Sequence, residues 1–186
     1  AVIDAMTTNE TSWFRDGQPF ETLEHVVLPE LEKLRGTSLR IWSSACSSGQ
    51  EPYTISMILS EYARKQLNSK LSSSQIVATD ISASMLVQAK KAEYEEVALG
   101  RGLSDMRRKQ FFSRSQDGWK VVDDVRNRVS FREQNLLQGF STLGKFDIIF
   151  CRNVLIYFST ERKQDILSRM ALSLNRGGYL FLGASE

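Results

Sequence analysis

The chain has 186 residues, 41% hydrophobic and 25% charged, enough for one soluble domain with its own core. A net charge of +2 is too small for a nucleic-acid footprint. No apolar run is long enough to span a bilayer, and no charged-then-apolar leader opens the sequence. Cys46 and Cys151 fit neither a disulfide framework nor a metal site, which points to a reducing cytoplasm. With His25 the only histidine, a zinc site or a Ser-His-Asp triad is hard to build; His25 reads as a structural or surface residue.

Residues 21–34 predict a helix with Leu23, Val26, Val27, Leu31 and Leu34 inward. Residues 39–43 form a short apolar strand running into the small polar turn 44–50. Glu51-Pro52 then opens a helix with a stripe of Ile55, Ile58, Leu59 and Tyr62. A second strand, 75–79, ends in Asp80, and Ser82 can cap the helix carrying Met85, Leu86 and Ala89. The turn Gln116-Asp117-Gly118 between short apolar runs predicts an antiparallel hairpin, an excursion that ends in a strand at 129–133. Residues 145–150 form a buried-type strand ending in Cys151-Arg152-Asn153. A helix from near Ser159 turns Ile166, Leu167, Met170 and Leu174 inward and stops at Gly177, before a last strand at 179–182. This alternation predicts an α/β fold with a parallel sheet.

In such a sheet, ligands bind at the carboxyl ends of the strands, near the reversal of strand order. Three polar stretches fall there: the loop 43–51, Asp80, and Arg152-Asn153-Val154 with Tyr157. The first offers small residues and the free N–H groups of a helix N-terminus, and Asp80 is placed to accept from ribose hydroxyls. Each has a plainer reading, as a tight turn, a helix cap and a solvated turn. Their shared location points to a nucleoside-containing cofactor without separating NAD from S-adenosylmethionine.

Five strings bear on that choice. They are Thr7-Thr8-Asn9-Glu10-Thr11-Ser12-Trp13-Phe14-Arg15-Asp16, Ser48-Gly49-Gln50-Glu51-Pro52-Tyr53-Thr54-Ile55, Ala78-Thr79-Asp80-Ile81-Ser82, Asn135-Leu136, and the run from Phe146 through Arg152-Asn153-Val154-Leu155-Ile156-Tyr157-Phe158. A glycine-led strand from Gly177 to Gly183 follows. In this order, and over nearly the whole chain, the sequence resembles the chemotaxis receptor methyltransferases, the CheR family.

The resemblance implies a Rossmann-like class I S-adenosylmethionine-dependent methyltransferase fold with a small antiparallel β-subdomain inserted. It implies a linker and entrance motif over 1–20, a catalytic domain over 21–186 and the subdomain near 111–134, with the family's N-terminal helical domain outside the chain. Such a chain is expected to bind cofactor but to methylate receptor poorly. Asn9, Thr11 and Arg15 match cofactor-contacting positions, Glu51 an acid holding the cofactor, and Asp80 the ribose-binding acid. Asn135 and Leu136 match residues beside the adenine, Asn153 and Val154 residues near the methionine part. Arg15 and Tyr157 match positions bordering the reacting carboxylate.

The implied activity is transfer of a methyl group from S-adenosylmethionine to glutamate side chains of methyl-accepting chemoreceptors, leaving S-adenosylhomocysteine. The expected partner is the receptor's cytoplasmic domain, with no nucleic acid, no membrane insertion and a monomeric enzyme. In some members the β-subdomain docks a receptor tail peptide by strand addition; the short turn here, without extra glycines, leans against it. Two other classes stay in view. One is an RNA or small-molecule methyltransferase, on a slight likeness of residues 153–157 to a base-holding loop. The other is a non-catalytic docking module that binds cofactor.

Overall fold

Strands at Arg40–Ser44 (β1), Gln75–Asp80 (β2) and Phe146–Cys151 (β7) are buried along almost their whole length, as expected of parallel strands covered on both faces. The computed structural model describes residues 10–66 and 68–186. In it these strands join Val129–Glu133 (β6) and Leu174–Leu182 (β8) in a sheet of order β6-β2-β1-β7-β8. Every neighbouring pair is parallel. The chain moves outward from β1 through β2 to β6 on one side, then returns to place β7 against β1's other edge. Strand order therefore reverses at β1.

On one face lie the helical segments Gln18–Thr22 (α1) and Leu28–Arg35 (α2), joined by a π turn at Leu23–Val27. The π turn inserts a residue into the helical repeat and changes which side chains turn inward. Leu23, Val27, Leu28 and Leu31 are buried, whereas the expected inward residues Val26 and Leu34 are exposed. The helix Gln50–Lys65 (α3) is buried on two sides rather than one. Its expected stripe of Ile55, Ile58, Leu59 and Tyr62 joins the core beneath the sheet, while Tyr53 and Met57 join a second cluster containing Trp13, Phe111 and Phe112.

The helix Ala83–Lys91 (α4) is capped as expected, the Ser82 hydroxyl accepting from the Met85 N–H at 3.2 Å. Beyond it come Glu93–Tyr94 (β3), Glu96–Leu99 (α5), Asp105–Phe111 (α6), Phe112–Ser115 (β4), Gly118–Val121 (β5) and Asp123–Arg126 (α7). The predicted hairpin is β4-β5, and β3 adds to β5, making a small antiparallel sheet of order β3-β5-β4. The span 111–134 read from the sequence is thus divided: Val129–Glu133 pairs with β2 in the central sheet, and the small sheet takes its third strand from upstream. Thr160–Ser173 (α8) covers the other face with Ile166 and Met170. It ends before Gly177, because Leu174 is already extended and pairs with Phe146; Gly177, at φ 72°, sits in the register shift within β8.

Residues 10–17 cross the top of the sheet as a strap. Trp13 anchors it, buried edge-on to Tyr94 (4.9 Å) and Phe112 (5.2 Å), with its backbone N–H donating to the Arg101 carbonyl at 3.1 Å. A Cβ on Gly102, at φ 93°, would lie 2.0 Å from the Trp13 carbonyl oxygen. Gly102→Ala should therefore cost about 2 kcal/mol or more. Gly139→Ala, where an added Cβ meets nothing within 4 Å, should leave the denaturant midpoint almost unchanged; equal midpoints for the two variants would contradict the packing.

Candidate active site

The carboxyl ends of four adjacent strands open into one cavity of about 340 Å³, in the size range of small-ligand sites. Ala45, Cys46 and Ser47 follow β1, Asp80 and Ile81 close β2, Gln134 to Leu136 follow β6, and Arg152 to Val154 follow β7. Glu10 to Ser12 and Arg15 of the strap, with Phe20, Tyr157 and Phe158, complete the wall. Phe14, Asp16, Ala45, Ser47 and Asn153 all have left-handed backbone. Such conformations are uncommon for these residue types, and they gather where loops must turn polar groups toward a ligand.

The floor is ionic. Glu51, in the first turn of α3, accepts from the Ser43 hydroxyl at 2.8 Å and pairs with Arg152 at 3.1 Å. Arg152 is buried, donates to Asp16 at 2.7 Å and to the Arg15 carbonyl at 2.9 Å, and lies over the Phe20 ring. Burial pushes the Glu51 carboxyl above the usual carboxylate range and outweighs the pull of Arg152 and Ser43 in the other direction.

Asp80 holds two loops at once. One oxygen accepts from the Ser47 N–H at 2.7 Å, the other from the Ser82 N–H at 2.9 Å. This fixes the loop after β1 to the start of α4. Tyr94 of the small sheet adds a third hold, donating to the Ser48 carbonyl at 2.7 Å. Asn135 makes its own turn by accepting from the Leu137 N–H at 2.9 Å. Cys46 is buried in the wall, and burial, then Asp80, then Glu51, push its thiol well above the ordinary value. Arg15 donates to the Glu10 carbonyl at 2.8 Å, within the strap. Tyr157 is 60% exposed at the rim.

Thr11, Arg15, Glu51, Asp80, Asn135, Leu136, Asn153, Val154 and Tyr157, chosen from the sequence, all line this single cavity. Asn9 lies outside the described residues. Sequence reasoning passed over Phe20, Gln134 and Phe158, and gave Arg152 no ionic role. The signal for Arg152 was its place at the end of an otherwise apolar strand.

Residues 9–186 match the family model described as CheR methyltransferase, SAM binding domain. The chain belongs to this family. It is 57% identical over its whole length to chemotaxis protein methyltransferase 1 of Pseudomonas aeruginosa, covering 68% of that protein. It is 54% identical to chemotaxis protein methyltransferase Cher2 of Pseudomonas putida, again over the whole chain and 68% of that protein. Chemotaxis protein methyltransferase 1 of Vibrio cholerae is 55% identical, with 67% of its length covered.

This CheR domain is a S-adenosylmethionine-dependent methyltransferase, and its cavity suits that cofactor. The carboxylates of Glu51 and Asp80 line it together with the apolar surface of Phe20, Ile81, Leu136 and Val154. Among the described residues no cluster could hold a metal ion. The raised Glu51 pKa sets a pH dependence. A cation beside Glu51 is held by the ionised form, which is lost as pH falls through the raised pKa. S-adenosylmethionine affinity should therefore decline at a higher pH than an ordinary carboxyl would dictate, and Glu51→Gln should remove that limb. Titration calorimetry across pH checks this; identical profiles for parent and variant would contradict it.

Proposed function

We propose that this CheR domain transfers a methyl group from S-adenosylmethionine to glutamate carboxylates on the cytoplasmic domain of methyl-accepting chemoreceptors. The products are glutamate methyl esters and S-adenosylhomocysteine, and the use is sensory adaptation. The observation that carries the reading is that Arg15 and Tyr157 border the same cavity that holds Glu51 and Asp80. An anion-binding group thus stands at the mouth of a cation-binding floor. The chemotaxis names of the relatives support the substrate class.

Bound S-adenosylmethionine supplies an electrophilic methyl on a sulfonium. Glu51 would hold its ammonium and Asp80 its ribose hydroxyls, using lone pairs left over from the Ser47 and Ser82 bonds. Asn135 and Leu136 would lie beside the adenine, Asn153 and Val154 beside the methionine part, and Thr11 would cover it from the strap. A glutamate carboxylate, with a pKa of about 4.3 in the free side chain, is already ionised at neutral pH and needs no general base. This agrees with a cavity lining that contains no histidine among the described residues. What remains for the protein is alignment and removal of water, an effect worth on the order of 7–11 kcal/mol in well-oriented systems.

Arg15 offers a planar fork to one carboxylate oxygen and leaves the other free to attack. Its existing bond to the Glu10 carbonyl limits how tightly it can grip, which preserves nucleophilicity. Tyr157 hydrogen-bonds the incoming group at the rim. We read the enzyme as a monomer acting in the cytoplasm on the receptor's cytoplasmic part; no helix among the described residues is long and apolar enough to cross a membrane.

Incubation with methyl-labelled S-adenosylmethionine and receptor-bearing membranes tests the reading. The label should enter the receptor and leave as methanol in mild alkali, as an ester does. Alkali-stable label, or label in RNA, would refute it. Arg15→Ala should lower transfer about 100-fold even at saturating S-adenosylmethionine; near-normal transfer would remove Arg15 from the reaction.

A further inference from the structure

The turn that carries Asn153 and Val154 is gripped from behind the cavity wall. Asn153 is left-handed at φ 59°, and the short 3₁₀ turn Leu155–Tyr157 follows. Glu186 closes this turn. One of its carboxylate oxygens accepts from the Val154 N–H at 2.6 Å and the Leu155 N–H at 2.7 Å, the other from the Gly183 N–H at 2.6 Å. A Cβ on Gly183 would come within 2.7 Å of that second oxygen and 3.1 Å of the Asn153 nitrogen, so the three segments meet with no room to spare.

A 3₁₀ turn of three residues leaves its leading N–H groups without partners of its own. Charge-assisted bonds from a carboxylate are the strong way to satisfy them. Glu186 is absent from the residues lining the cavity, yet its charge reaches inside. It is one of the influences that raise Glu51 and Cys151.

We infer that Glu186 is a positioning residue for methyl transfer: it sets the backbone from Asn153 to Leu155 against the cofactor and, through its charge, favours the sulfonium cofactor over the neutral thioether product. The inference rests on the cofactor placement proposed above. S-adenosylmethionine and S-adenosylhomocysteine share every polar group but differ by one positive charge at sulfur. An anion fixed against the Val154 and Leu155 N–H groups discriminates between them, whereas a purely mechanical brace does not. Discrimination of this kind favours exchange of spent for fresh cofactor.

Calorimetric titration of both ligands onto the parent chain, Glu186→Gln and Glu186→Ala decides it. Gln keeps an oxygen for the Val154 and Leu155 N–H groups, gives up the bond from the Gly183 N–H outside the cavity lining, and deletes the charge. It should weaken S-adenosylmethionine by about threefold or more and leave S-adenosylhomocysteine affinity unaltered. Ala also frees the turn and should weaken both ligands by about tenfold. Equal weakening of the two ligands by Gln, or no change in either, overturns the inference. If the Ala variant does not fold, the Gln variant carries the test alone. A parent chain that binds neither ligand overturns the cofactor placement itself, a result distinct from parent-like discrimination in the variants.

Discussion

A single buried guanidinium ties together segments that the chain keeps far apart. Arg152 enters from the end of β7, meets Glu51 on α3 and Asp16 on the strap, and rests on Phe20. Its Nε has no partner among the described residues, so its hold on the site comes through the two terminal nitrogens. The arrangement works in both directions. Glu51 would be an uncompensated buried charge without Arg152, and removing one member of such a pair commonly costs about 3–5 kcal/mol. The strap, in turn, is drawn over the cavity by Asp16 at one end and by the Trp13 plug at the other. Cofactor floor and cavity roof therefore share one charge.

Around this centre the domain divides its labour cleanly. The central strands are largely apolar and buried, and Phe20, Phe150 and Phe181 stack in series on one face of the sheet close to the rim. Their carboxyl ends open into loops with left-handed residues, carboxylates and exposed amides. Parallel strands all point their ends the same way, so residues about 100 positions apart in the chain, such as Glu51 and Arg152, arrive at one rim without any local signal linking them.

This accounts for what could be read in advance. The polar residues at strand ends were legible through their shared location at the carboxyl rim, although Asp80 alone reads equally as a helix cap and Arg152-Asn153 alone as a solvated turn. The family-like strings then carried the choice among cofactors, which composition alone left open. Pairings across the rim were not legible. Nothing local in Asp16 or Ser43 announces Arg152 or Glu51 as its partner. The π turn was hidden too, since Leu23, Val26 and Val27 satisfy an ordinary helical stripe. So was the second buried side of α3, where Ser56 reaches the Val125 carbonyl at 2.8 Å and Thr54 accepts from the Phe14 N–H at 3.3 Å. Small hydroxyl residues read as solvent-facing until their partners are known.

The thiol of Cys46 has a bearing on the lifetime of the protein. A sulfonium methyl donor is an alkylating agent, and thiolates are among the side chains most readily alkylated. Cys46 lines the cavity, where burial together with the carboxylates of Asp80 and Glu51 raises its thiol pKa and favours the protonated form. A protonated thiol is a poor nucleophile. Burial and the two neighbouring carboxylates thus disfavour the thiolate at the cysteine of the cavity lining.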